Sequence, residues 1–166
     1  MLQPTVRRTW APKGKTPISY AWDRHDRLSV LTALTVSPQT RRIGLLLDVW
    51  PCNIDAVAVL AMLRGLRQRY PQGYLLVLDR WSVHRSAVRQ LQERGDGRIE
   101  VEWLPGYAPE LNPVEAVWQR TKYTDLANFT PEQSEHLRLE VEASLVKTRS
   151  KQEILRSFFA YAKLKL

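Results

Sequence analysis

Tyr74-Leu75-Leu76-Val77-Leu78-Asp79 is the most apolar run of the chain, and it ends on a carboxylate. An unbroken apolar run of this length reads as a β-strand buried on both faces, the kind found inside a parallel sheet. Pro71-Gln72-Gly73 closes it off upstream. Before that stop, Ile54, Val57, Ala58, Ala61 and Leu66 recur at helical spacing, which predicts an amphipathic helix reaching about Tyr70, with Asn53 as its N-cap. Beyond the aspartate, a helix over residues 86–93, the turn Arg94-Gly95-Asp96-Gly97 and a strand over 99–104 complete a strand–helix–strand unit. Asp79 then stands at the C-terminal end of a sheet strand, where sites on open α/β sheets gather.

The flanking sequence fits the same architecture. Residues 6–10 are β-prone, and Ala11-Pro12-Lys13-Gly14-Lys15-Thr16-Pro17 is a turn. Apolar runs at 18–22 and 28–36 flank the polar turn at 23–27, which predicts a hairpin, and another strand covers 42–49. After the proline-rich loop 105–113 the chain reads as helical from Val114 onward. Thr130-Pro131-Glu132-Gln133 has the form of a capping box with proline at the first helical position, and a last helix covers 151–162. The expected fold is one α/β domain, a mixed sheet flanked by helices, and 166 residues suit a single domain over 1–166.

Lys and Arg number 25 against 17 Asp and Glu, a formal net charge of +8. The excess is uneven: residues 1–35 carry +4, 36–98 carry +5, 99–142 carry −6 and 143–166 carry +5. An acidic block between basic arms suits metal-binding carboxylates facing a phosphate backbone, although solvated helix faces also account for many individual charges. A hydrophobic content of 44% excludes a disordered basic tail. The single cysteine, Cys52, cannot form an internal disulfide and has no Cys/His cluster around it, which argues for a reducing compartment and against a zinc site. No apolar run is long enough to span a bilayer, so no membrane partner is expected, and Met1-Leu2-Gln3-Pro4 lacks a signal-peptide pattern.

Two carboxylates stand out by position. A strand-end Asp79 is costly to bury without a partner, and a divalent cation is one such partner; capping a turn is the other role open to it. Glu115 follows 36 positions later. With Asn112 as N-cap and Pro113 opening a helix, Glu115 is the third helical residue, where it either caps the first turn or serves as a ligand. Spacing alone leaves both open.

Longer stretches are more specific. Leu75-Leu76-Val77-Leu78-Asp79-Arg80-Trp81-Ser82-Val83-His84-Arg85-Ser86, followed by Leu104-Pro105-Gly106-Tyr107-Ala108-Pro109-Glu110-Leu111-Asn112-Pro113-Val114-Glu115, resembles the DDE transposases of the Tc/mariner-like superfamily, in their bacterial insertion-sequence branch. In that family the second catalytic aspartate heads a D-x-x-x-x-H segment, and the third acid ends a loop of the form L-P-x-Y-(S/A)-P-E-L-N-P-(I/V)-E-x-x-W. Asp79 and Glu115 fall on these two acids. The likeness continues through Lys122-Tyr123-Thr124-Asp125-Leu126-Ala127-Asn128-Phe129 and Leu155-Arg156-Ser157-Phe158-Phe159, and reaches back to Arg7-Arg8-Thr9-Trp10-Ala11-Pro12-Lys13-Gly14-Lys15-Thr16-Pro17.

The resemblance implies a ribonuclease H-like fold whose carboxylates hold two Mg²⁺ or Mn²⁺ ions for in-line phosphoryl displacement. It further implies double-stranded DNA as partner, both element ends and target, with a transposase homodimer acting on two ends in the bacterial cytoplasm, at the nucleoid. Around the acids, His84 and Arg85 are candidates to orient a phosphate, with packing an equal role for His84. Lys13, Lys15 and Arg80 suit phosphate contacts that position DNA without reading sequence. Of the six tryptophans most are expected in the core, with Trp118 packing the helix of Glu115 onto the sheet and Trp81 the one suited to DNA contact.

The family's first aspartate lies on the opening strand, just before the segment equivalent to Leu2-Gln3-Pro4. The expectation is therefore a catalytic domain whose first strand is missing or incomplete, without the first acid and without the upstream helix-turn-helix region. Asp23, Asp26 and Asp48 do not occupy the family's position. A non-catalytic remnant that binds DNA or full-length transposase as a regulator is the alternative, and a cellular ribonuclease H-like nuclease would need a first acid that no position supplies. On this reading the purified 166-residue chain nicks supercoiled DNA weakly or not at all. Metal-dependent nicking that disappears in Asp79→Ala would overturn it.

Overall fold

The computed structural model describes residues 5–18, 20, 28–93, 95 and 97–166. Strands β1 (Ser29–Val36) and β2 (Ile43–Trp50) pair antiparallel, with Val36 opposite Ile43 and Ser29 opposite Trp50. Helix α1 (Ala56–Arg69), strand β3 (Tyr74–Leu78), helix α2 (Ser82–Glu93) and strand β4 (Ile99–Trp103) follow, and β3 and β4 run parallel from Tyr74 opposite Ile99 to Leu78 opposite Trp103. A 3-10 turn (Pro109–Leu111), helix α3 (Pro113–Arg120), a π-helical turn (Thr121–Asp125), helix α4 (Ser134–Arg149) and helix α5 (Gln152–Tyr161) complete the chain. This is the expected mixed α/β architecture, its two strand directions realised as an antiparallel pair and a parallel pair. No helix among the described residues is long and apolar enough to cross a membrane.

The period-two geometry of strands sorts the core into two clusters. Val30, Leu34 and Val36 of β1, with Ile43, Leu45 and Leu47 of β2, face one side and meet Val117 of α3, Leu145 of α4 and Leu155 and Phe158 of α5. Leu31 and Ala33 of β1 and Leu46 of β2 face the other side, where Val59, Leu60 and Leu63 of α1 pack with Ala87 of α2. Tyr74 and Leu76 of β3 join that second cluster. Helix α1 therefore lies against residues of both strand pairs.

Leu75 and Val77 point the opposite way and are 58% and 52% exposed. The apolar run is thus covered on one face rather than both, because α3, α4 and α5 lie over β1 and β2. Apolarity of a run does not say which helices reach it. The tryptophan expectation fails similarly: none of the described tryptophans is fully buried, and Trp10 is entirely exposed. Trp22, with the predicted hairpin turn at 23–27, lies outside the described residues.

Local signals moved by a few residues. The N-cap of α1 is Asp55, whose Oδ1 accepts the Ala58 N–H at 2.9 Å, in place of Asn53. Helix α4 starts at Ser134 behind an N-cap, Gln133, that makes no side-chain bond, so Thr130-Pro131-Glu132-Gln133 forms no capping box; Pro131 is buried instead. Residues 6–10 join no strand, although Thr5 bridges Ala127 in parallel. The turn at 11–17 is as expected: Gly14 adopts φ +81°, and the Lys15 N–H donates to Pro12 O at 3.0 Å. Gly73 (φ +105°) is obligatory at the entry to β3, since a Cβ there would collide with the Arg98 carbonyl.

Two side-chain amides act as short strands. Gln152 accepts the Ile43 N–H on Oε1 at 2.9 Å and donates Nε2 to Ile43 O at 2.7 Å, tying α5 to β2. Asn128 treats Arg7 in the same way, at 2.7 and 3.0 Å, and anchors the arm that carries Lys13 and Lys15. Leu155, fully buried against β2, is expected to dominate this side of the core. Leu155→Ala should lower the unfolding free energy by about 2–5 kcal/mol, measured by urea titration.

Candidate active site

Asp79 follows the last residue of β3, and α2 begins three positions later. Its Oδ1 accepts the Trp81 N–H at 3.1 Å, an aspartate turn that reverses the chain into α2. The same oxygen lies 2.6 Å from His84 Nδ1. Oδ2 takes no hydrogen bond among the described residues, and the side chain is 45% exposed. One oxygen is thus held and the other presented outward. His84 is nearly covered, and the ring of Trp81 stands edge-on to it at 5.2 Å. Of the roles considered for His84, these contacts are those of a packed, hydrogen-bonded histidine, with Asp79 as its partner.

The adjacent loop is tied in by Leu104. Its N–H donates to Leu78 O at 2.8 Å, and its carbonyl accepts Arg80 Nε at 3.2 Å. Leu104 opens the loop that leads to Glu115, so the residues before and after Asp79 are fastened to the start of that loop.

The local sequence at α3 folds as its spacing requires. Asn112 Oδ1 accepts the Val114 N–H at 3.1 Å, and Pro113 occupies the first helical position. Of the two roles open to Glu115, the reciprocal cap is not formed. The Asn112 N–H already donates to Pro109 O at 3.0 Å, and the Glu115 carboxylate has no hydrogen bond or ion pair among the described residues. It retains only the favourable field of the helix N-terminus.

Asp79, Trp81 and His84 are thus in mutual contact, and Arg80 is joined to them through Leu104. Arg85 lies exposed on the first turn of α2. Glu115 stands on its own helix, with no bond or ion pair to Asp79. Lys13 and Lys15 are exposed on the arm held by Asn128 and touch none of these residues through a hydrogen bond or ion pair. Asp48 lies within β2, opposite Leu31, and Asp23 and Asp26 fall outside the described residues. Among the described residues no group of three or more His, Cys, Asp or Glu could hold a metal. Asp79 and Glu115 each offer an unengaged carboxylate oxygen, the donor type that hard divalent ions prefer. Reading along the sequence missed the role of Leu104, whose contribution is purely main-chain.

A family model described as DDE superfamily endonuclease matches residues 1–138. Among solved structures, the crystal structure of the Mos1 strand transfer complex superposes with a TM-score of 0.61 at 15% identity, over 98% of this chain and 48% of that chain. The present chain thus spans about half the length of that one, and the match establishes a ribonuclease H-like fold. A search of curated proteins returns no match.

The cap and the free acid separate by stability. Asn112→Ala should cost about 0.5–2 kcal/mol, whereas Glu115→Gln removes only a helix-end interaction of about 0.3–1 kcal/mol. Urea denaturation of both variants checks the order, and a larger loss in Glu115→Gln would mean that its carboxylate holds α3 in place.

Proposed function

The chain belongs to the DDE superfamily endonucleases, and from that membership we propose that it is a transposase catalytic domain for DNA cleavage and strand transfer at insertion-sequence ends. The observation that carries this reading is the divided carboxylate of Asp79. His84 and the Trp81 N–H engage one oxygen while the other is free, at the end of a parallel strand. Asp79 caps its turn through the Trp81 N–H, and the nearly covered His84 adds an orientation that capping alone would not need. Glu115, unbonded at the head of α3, supplies the second acid.

Divalent metals are used throughout this superfamily. Asp79 and Glu115 would hold Mg²⁺ or Mn²⁺, which supplies activation of the attacking hydroxyl and stabilisation of the leaving oxygen. A further carboxylate is required for a metal pair, because two acids leave one ion short of protein ligands. The chain's own residues do the positioning. His84 fixes the rotamer of Asp79, and Arg80 is braced by Leu104 O through Nε, leaving its terminal nitrogens for a phosphate. Arg85, Lys13 and Lys15 add exposed positive charge for the DNA backbone, and the half-exposed Trp81 borders the same turn. Double-stranded DNA is the partner, engaged by a pair of transposase copies at the bacterial nucleoid.

The alternative, a regulator that binds DNA or full-length transposase without cutting, shares the basic surface but has no use for the free acids. Mn²⁺ titration by calorimetry separates the two. Binding by the chain should fall by about 10-fold or more in Asp79→Ala and in Glu115→Ala, each removing one charged ligand. Metal binding that is equal in all three proteins would remove the catalytic reading and leave the regulator.

A further inference from the structure

Helix α4 carries two faces, and the fold covers one of them. Val141, Ser144, Leu145 and Thr148 face inward and are buried. On the opposite side Leu139, Ala143 and Val146, at helical spacing, form an exposed apolar stripe, with Leu139 56% and Val146 47% exposed. Exposed apolar side chains scattered singly are ordinary. Three in line along the outer face of a 16-residue helix make a ridge of the kind that packs on another helix.

The charges beside the stripe are ordered along the helix. One flank carries Glu140 and then Lys147, and the other carries Glu135, Arg138, Glu142 and then Arg149. Arg138 is engaged within the helix, its Nε 2.9 Å from Glu142 and its Nη1 3.8 Å from Glu135. Glu140, Lys147 and Arg149 form no ion pair among the described residues. With Arg138 matched in this way, the N-terminal half of the outer face is acidic on balance and the C-terminal half is basic.

We infer that α4 pairs with α4 of a second copy of this chain, antiparallel, about a twofold axis at Ala143. In that register Leu139 meets Val146 of the second copy and Ala143 meets its own equivalent, where the small side chains let the two helices approach closely. Rotation about such an axis keeps each flank on its own side of the interface. Glu140 then lies beside Lys147 of the second copy, and Glu135 beside its Arg149, each contact occurring twice. Parallel pairing would instead set Glu140 against Glu140 and Lys147 against Lys147. The stripe supplies the attraction, and the charges fix the direction. The pairing goes beyond the DNA-cleaving reading and does not depend on it, because none of these residues belongs to the candidate active site.

Sedimentation equilibrium of the full chain over a concentration series, without DNA or divalent metal, tests the pairing. The parent chain should follow a monomer–dimer equilibrium. Ala143→Arg sets two guanidinium groups against each other at the axis and should leave the chain monomeric. Glu140→Lys and Lys147→Glu should each weaken association by about fivefold or more, since each places like charges together at two symmetric positions. The double variant Glu140→Lys/Lys147→Glu exchanges the charges and should return the association to its parental strength. All three positions are exposed, and circular dichroism will register any loss of fold. A parent chain that stays monomeric at every concentration overturns the inference. So does a dimer that Ala143→Arg leaves intact, or a double variant that associates as weakly as the single ones.

Discussion

Leu104 is held through both of its main-chain groups, and the candidate site depends on that grip. Its N–H extends the parallel pairing by one bond beyond β4, to Leu78 O, and its carbonyl receives Arg80 Nε. Leu78 and Arg80 bracket Asp79. The aspartate therefore leaves the sheet from a fixed point, and the loop toward Glu115 leaves from the same edge. Parallel strands make this possible, because both strands of such a pair end on the same side. An antiparallel pair would have sent the second loop away from the aspartate.

The antiparallel pair does different work. Its strands are covered on both faces, by α1 on one side and by α3, α4 and α5 on the other. It is the only part of the described sheet structure sandwiched in this way, and α3, the helix bearing Glu115, is seated through Val117 on that cluster. Glu115 is thus positioned by β1 and β2, whereas Asp79 is positioned by β3 and β4. The amide clamps of Gln152 on Ile43 and Asn128 on Arg7 extend the same economy, using one side chain where a strand would otherwise supply both donor and acceptor.

Features that depend on a few neighbouring residues were legible from the chain. Asn112, Pro113 and the start of α3 agree to the residue, because an N-cap and its proline act within one turn. The strand–helix–strand unit around Asp79 was legible for a similar reason: hydrophobic period and turn residues are local. Competing local signals were resolved elsewhere. Asp55 displaced Asn53 because its carboxylate reaches the Ala58 N–H, and Pro131 is buried in a non-helical stretch rather than opening a helix. Burial was the least legible property. Leu75 and Val77 are as apolar as Leu76, yet only Leu76 meets a helix.

For the candidate site the division is sharp. The sequence by itself singled out Asp79 and Glu115 as candidates and the elements that carry them, because both sit in motifs whose residues interact over a handful of positions. It also determined the basic balance, a property of composition alone. Only the tertiary structure decided that one oxygen of Asp79 is held by His84 while the other is free. It alone left the Glu115 carboxylate unbonded and joined the two motif segments at Leu104. Those outcomes depend on main-chain bonds and on competition among donors brought together by folding. Side-chain type does not encode which donor will arrive first.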